Sequence, residues 1–210
     1  MKLEILQETN EWIAINKPSG LLVEENKFET SLEAILKENH KFIGIVHRLD
    51  RVTSGIILVA KKRSALKILN EQFSQKIVKK TYHAIVSRKP EKDADTLVHY
   101  LHKDLLNKKA VIVDVPKRNN VMVKLDYEII EQIDKHYLLK VNLATGKFHQ
   151  IRAQLAHIGC PVLGDTKYNG SKTEQHLKSV ALRANNLEFL DPITNEKVVL
   201  EITEKFRYKN

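Results

Sequence analysis

The sequence predicts an α+β fold with a mixed, mostly antiparallel sheet and flanking helices. Candidate strands outnumber candidate helices, several successive strands are separated by hairpin-length turns, and the regular βαβ alternation of a doubly wound sheet is absent. No tandem repeat, low-complexity tract or Gly/Ser-rich linker interrupts the 210 residues. A chain of that length suits one domain, or two small lobes sharing a core. One continuous domain over residues 1–210 is the expectation.

Residues 12 to 16 (Trp-Ile-Ala-Ile-Asn) read as a short strand, and Lys17-Pro18-Ser19-Gly20 turns the chain into a second strand at 21 to 24. Thr30-Ser31-Leu32-Glu33 has the spacing of a capping box, and Leu32, Ile35 and Leu36 share one face of a helix over 31 to 39. Gly44 to Val46 and Gly55 to Lys61 are apolar strand candidates, with the polar segment His47 to Ser54 as their connection. Leu66, Leu69 and Phe73 mark a helix over 64 to 75. The alternation of Tyr82, Ala84 and Val86 with His83, Ile85 and Ser87 then marks a strand.

Val111 to Val115, a basic turn at Lys117-Arg118-Asn119-Asn120 and an alternating run from Val121 to Ile129 read as an antiparallel meander, followed by a strand at 137 to 143. A helix over 148 to 158 buries Ile151, Leu155 and Ile158, carries His149, Arg152 and Ala156 on an adjacent stripe, and stops at Gly159 and Pro161. The tail from 178 supplies two or three more strands, including Val198 to Ile202.

Composition narrows the function class. Lys plus Arg number 35 against 26 Asp plus Glu, a formal charge of +9 that favours polyanionic partners such as nucleic acid or an anionic membrane. The longest apolar run, Gly55 to Ala60, is far short of the roughly 20 residues that cross a bilayer, and the first residues lack a signal-peptide apolar core. The one cysteine, Cys160, excludes an intrachain disulfide. A soluble, cytoplasmic protein is expected.

Two short segments concentrate reactive side chains. In His47-Arg48-Leu49-Asp50-Arg51-Val52-Thr53-Ser54-Gly55, one acid stands among two arginines and a histidine, a balance that keeps the carboxylate ionised and suits a nucleophile or a general base. A solvated loop of mutually neutralising charges has the same spacing. Thr145 to Arg152 opens a helix and suits an anion site through free backbone N–H groups, or is a capped helix with a satisfied arginine. His47, His83, His149 and His157 have no recognised ligand spacing, so no metal site is expected. Lys103, Lys108, Lys109, Lys117, Arg118 and Lys124 recur without RNP-type aromatic pairs, as for phosphate contact without base readout.

Four segments, in order, are similar to the RluA-type family of pseudouridine synthases. They are Asn16 to Leu21; His47-Arg48-Leu49-Asp50 with Thr53-Ser54-Gly55; Lys80-Thr81-Tyr82-His83-Ala84; and Thr145 to Arg152 continuing to Gly164-Asp165-Thr166-Lys167-Tyr168. The resemblance implies a pseudouridine synthase catalytic domain: a cofactor-free isomerase that detaches uracil from its ribose and rejoins it through carbon 5 within an RNA chain. It implies Asp50 as the catalytic carboxylate, attacking base or ribose. It further implies Tyr82 as a stacking residue that assists proton removal, and Arg152 as an ion-pair partner of Asp50. Because a uracil inside folded RNA must be extruded to react, Arg48 corresponds to the arginine filling the vacated space. His47 and Thr53 fall in the same motif as expected substrate-binding residues, and Leu182 corresponds to an apolar residue packing against the base.

Two positions depart from the family pattern: Lys147-Phe148 replaces Arg-Thr or Arg-Lys, and Cys160 stands where histidine often precedes the proline. Many relatives begin with an S4 RNA-binding module, for which Asn16-Lys17-Pro18 comes too early. The expected partner is structured ribosomal or transfer RNA, with no membrane or DNA partner, and the protein is expected to be a monomer. A non-catalytic RNA-binding or ribosome-assembly module on the same fold, and a metal-dependent phosphodiesterase using His47, Asp50 and His149, are the competing functions.

Overall fold

The structure is a computed structural model that describes residues 3–168 and 179–207. In chain order its elements are β1 (Glu4–Glu8), β2 (Trp12–Lys17), α1 (Leu32–Lys37), β3 (Gly44–Ile45), β4 (Ser54–Ala60), α2 (Arg63–Ser74) and β5 (Lys79–Val86). There follow β6 (Ala94–Asp104), β7 (Lys109–Val113), β8 (Val121–Ile133), β9 (His136–Leu143), α3 (Gln150–His157), a 3-10 turn at Thr166–Tyr168, β10 (Leu182–Leu190) and β11 (Lys197–Glu201). They fall into two compact units, Met1–Lys80 with Arg183–Lys205, and Thr81–Leu182 with Phe206–Asn210.

The first unit is a mixed sheet. β2 runs antiparallel to both β1 and β4, β3 is antiparallel to β4, β10 lies parallel to β4, and β11 closes antiparallel on β10. From Gly55 to Ala60 β4 is buried throughout, which is why it reads as an unbroken apolar run instead of an alternating one. Ala65 and Leu69 of α2 pack with Trp12, Ile56, Leu58, Phe189 and Leu200 in one core. The Trp12 ring meets Phe189 edge-on at 5.1 Å, and its indole N–H donates to Asp191 at 2.7 Å.

The parallel contact depends on a glycine. Gly55 has φ +108 and pairs with Ala184, where an added Cβ would lie 2.2 Å from the Ala184 carbonyl oxygen. Backbone on backbone leaves no soft atom to yield, so Gly55→Ala is expected to destabilise the fold by roughly 3 kcal/mol or more. Urea denaturation measures it; a change under about 1 kcal/mol would contradict this packing.

The second unit is an antiparallel meander in the order β5-β9-β8-β6-β7. Helix α3 and the 3-10 turn pack on it, with Leu101, Ala110, Val123, Ala153 and Tyr168 in a shared core. Among the described residues, no helix is long and apolar enough to cross a membrane.

The expected α+β architecture is the one observed, with local differences. The expected strand at 21 to 24 is a bend carrying one bridge, Leu22 to Ser31. The helix cap lies one residue later than the capping-box spacing suggests: Ser31 Oγ accepts from the Ala34 N–H at 3.1 Å, and Glu33 turns away to accept from the Glu25 N–H at 3.0 Å. β1 and β6 are strands the periodicity did not indicate. β1 is an exposed edge held by main-chain pairing with β2, and in β6 the polar His99 stands between the inward Leu97 and Leu101. Residue 178, where the expected tail begins, lies outside the described residues; β10 and β11 account for two of its strands.

Candidate active site

In the first unit the segment from His47 to Thr53 is a loop between β3 and β4, held from below by the turn that follows β2. The Gly20 N–H donates to the Arg51 carbonyl at 2.8 Å, Arg51 Nε returns a bond to the Gly20 carbonyl at 3.0 Å, and Ser19 Oγ donates to the Val52 carbonyl at 2.7 Å. Gly20 sits at φ +91, a left-handed position that its lack of a Cβ permits. Within the loop the Thr53 N–H closes a turn on the Asp50 carbonyl at 3.0 Å, Leu49 and Thr53 are buried, and Asp50 is half-buried.

Lys17 is the main strut. Its side chain is fully buried, and its ammonium donates to the carbonyls of Pro18 and Leu21 at 2.9 Å and to that of Arg51 at 3.3 Å. Burial pulls its pKa down to about 8, while the negative charge of Asp50 opposes the fall. At neutral pH the group is an ammonium that organises the turn and places positive charge beside Asp50.

His47 extends the β3 to β4 pairing by side chain. Its Nε2 accepts the Leu58 N–H at 2.9 Å, one residue beyond the Val59 to Ile45 pair, and its ring stacks on Phe73 at 4.8 Å. Burial, reinforced by the positive charge of Lys80, lowers its pKa to about 3. The imidazole is therefore neutral in the fold and serves as an acceptor.

A histidine depressed in the native state binds its proton more readily when unfolded, so its stabilising share is full above the usual 6.5 and is lost as pH falls from 6.5 toward 3. The thermal midpoint is expected to fall across that window, and His47→Leu is expected to flatten the fall. An unchanged acid limb in the variant would remove His47 as its source. Arg48 is exposed and pairs with Glu24 at 2.6 Å, a solvent-screened surface contact.

The second unit carries Tyr82, Arg152 and Leu182. Tyr82 is a buried residue of β5 opposite Val141, and Leu182 is buried at the start of β10. Arg152 lies on α3, a helix whose residues 150 to 155 are all buried, so it has no polar face of the kind the expected single apolar stripe implies. Its guanidinium grips Asp165 with Nε to Oδ2 at 2.6 Å and Nη2 to Oδ1 at 2.8 Å, both side chains being buried. The Tyr168 ring lies 5.1 Å from the guanidinium carbon, and the Tyr168 hydroxyl accepts the Ala110 N–H at 2.7 Å and meets His149 Nδ1 at 3.0 Å.

The start of α3 is shaped by Gln150. Its Oε1 accepts from Thr145 Oγ1 at 2.8 Å and the Lys147 N–H at 3.1 Å, and its Nε2 donates to the Lys124 carbonyl and to Gln154. His149, at φ +52, makes no side-chain cap. The Thr145 to Arg152 motif thus builds a fixed mount for Arg152. Sequence reasoning gave no role to Lys17, Asp165 or Tyr168, although all three stand inside the quoted motifs. Among the described residues no group of three or more His, Cys, Asp or Glu side chains is arranged to hold a metal ion.

Residues 11–157 match the family model described as RNA pseudouridylate synthase. The ribosomal large subunit pseudouridine synthase C of Rickettsia felis is 31% identical over 209 residues, 97% of this chain and 68% of that protein. That of Haemophilus ducreyi is 32% identical over 209 residues, 95% of this chain and 65% of its own length. The chain thus spans about two thirds of these relatives. The solved structure titled human RNA pseudouridylate synthase domain containing 1 superposes with a TM-score of 0.82 at 22% identity, over 97% of this chain and 84% of that one, a likeness of fold. With the family model covering well over half its length, the chain belongs to the RNA pseudouridylate synthase family and is an isomerase acting on RNA.

Proposed function

We propose that the chain converts specific uridines of large-subunit ribosomal RNA to pseudouridine, with Asp50 as the nucleophile. The observation that carries this reading is the mounting of Asp50: a carboxylate on a loop clamped by Gly20, Ser19 and a buried Lys17 ammonium. Such a carboxylate is held in place before substrate arrives, as nucleophilic catalysis needs. The choice of RNA follows the relatives named for the large subunit.

In the reaction the bond between uracil N1 and ribose C1′ breaks and one between C5 and C1′ forms. The hydrogen of C5 leaves as a proton and N1 gains one, so no redox partner or cofactor is required. Tyr82 stacks on the extruded base and assists removal of the C5 proton. Arg152, aimed by Asp165, pairs with Asp50, and Leu182 packs against the base. Arg48 enters the space the base vacates, and Thr53 supports the loop. The two units act in this reading as one catalytic domain, as a cytoplasmic monomer.

Mapping pseudouridines in total RNA from cells with and without the gene tests it. One or more large-subunit positions are expected to lose the modification and regain it with the wild-type gene. Loss confined to transfer RNA would redirect the substrate, and no change anywhere would overturn the proposal.

A further inference from the structure

The turn joining β6 to β7 holds Leu105 and Leu106 almost entirely in water, with exposures of 73% and 91%. Its conformation is nevertheless fixed. The Asp104 carboxylate accepts the Asn107 N–H and side-chain amide at 3.0 and 2.7 Å, and the Lys167 ammonium donates to the Asn107 and Lys108 carbonyls at 3.5 and 3.2 Å. Beneath the tip the strands pair in register from Tyr100 and Val113 to Asp104 and Lys109, and Tyr168 takes the Ala110 N–H. An ordered turn presenting two leucines is an apolar wedge whose ordering cost is met before binding.

The charge around the wedge selects its partner. Lys103, Lys108 and Lys167 are exposed residues in or against the turn, the Lys103 ammonium lying over the Phe148 ring and that of Lys109 over the Tyr168 ring, and Asp104, engaged by Asn107, is the one acid of the turn. Ammonium groups ringing a small apolar projection match a folded polynucleotide, where phosphates flank a base step that an aliphatic side chain can part. Two leucines offer less apolar surface than a membrane-bound amphipathic segment uses.

We propose that the β6–β7 tip is an RNA-docking wedge: Leu105 and Leu106 enter a weakly stacked step of the substrate while Lys103, Lys108 and Lys167 hold the adjoining phosphates. The proposal rests on the reading that the chain acts on RNA and deepens it by naming how folded RNA is gripped, but it does not depend on catalysis. It can therefore be tested in the Asp50→Asn protein.

The probe is a large-subunit RNA stem-loop carrying 2-aminopurine at successive positions, followed by anisotropy for affinity and by fluorescence for unstacking. Binding by the Asp50→Asn chain is expected to brighten one position. Adding Leu105→Ser and Leu106→Ser is expected to abolish that signal and weaken binding about tenfold or more. Lys108→Asn, which suits the left-handed φ of +47 there, is expected to keep the signal and reduce the salt slope by about 0.7.

An unchanged signal and affinity in the serine variant would overturn the proposal, as would a failure of the parent to bind. Loss of binding to phosphatidylglycerol vesicles in the serine variant, with RNA affinity unchanged, would assign the wedge to a membrane instead. In the Asp50 protein, Leu-dependent docking without pseudouridine formation would retain the wedge and sink the enzymatic reading. Full kcat/KM on folded RNA in the serine variant would do the reverse.

Discussion

Asp50→Asn is expected to lower the single-turnover rate of pseudouridine formation on the order of 10⁴-fold or more, as removal of a nucleophile does in other covalent enzymes. The amide is nearly the same size, and the bond from the Thr53 N–H to the residue 50 carbonyl survives because it uses the main chain. Fold and RNA affinity are thus expected to persist, checked by circular dichroism and anisotropy. Removing the negative charge also removes the one influence that raises the Lys17 pKa, so that value is expected to move further down. A rate within about tenfold of wild type would exclude Asp50 as the nucleophile.

Asp165→Ala is expected to cost about 3 kcal/mol or more of stability, because it leaves a buried guanidinium without its bidentate partner. Asp165→Asn keeps one acceptor and is expected to cost less. Guanidinium unfolding of the two variants reads the difference. In whichever variant remains folded, the proposed pairing of Arg152 with Asp50 predicts that kcat falls more than KM rises, because Asp165 fixes the Arg152 guanidinium. Wild-type stability in Asp165→Ala would show that the pair is not what holds Arg152.

The parts of the fold that were legible in the sequence are those where burial imposes a period or a composition. β4 reads directly from Gly-Ile-Ile-Leu-Val-Ala because it is covered throughout, and α2 from the spacing of Leu66, Leu69 and Phe73. β1 carries no such signal, since backbone pairing alone makes it a strand. At 21 to 24 the apolar Leu21 and Val23 are buried as they would be in a strand, yet their backbone bends to meet the Lys17 ammonium and the start of α1.

The candidate site was legible through its motifs more than through local chemistry. Asp50 stands out by the charge balance of its segment and, with Tyr82 and Arg152, takes its role from resemblance, whereas the groups that brace Asp50 and Arg152 are invisible to spacing rules. Lys17 looks like a solvent-facing lysine before a proline until its three carbonyl partners are seen. His47 sits among charged neighbours yet is a neutral acceptor for a strand N–H. Asp165 follows Arg152 by thirteen positions, beyond the reach of any helical rule, and a turn of chain returns it to the guanidinium.

The most direct test of the central claim is tritium release from large-subunit ribosomal RNA transcribed with uridine labelled at carbon 5. Conversion to pseudouridine must expel that hydrogen, so the wild-type chain, with no cofactor added and with chelator present, is expected to release label in step with the pseudouridine formed. RNA binding at wild-type affinity with no label released from any ribosomal or transfer RNA would contradict it and leave an RNA-binding module on the same fold.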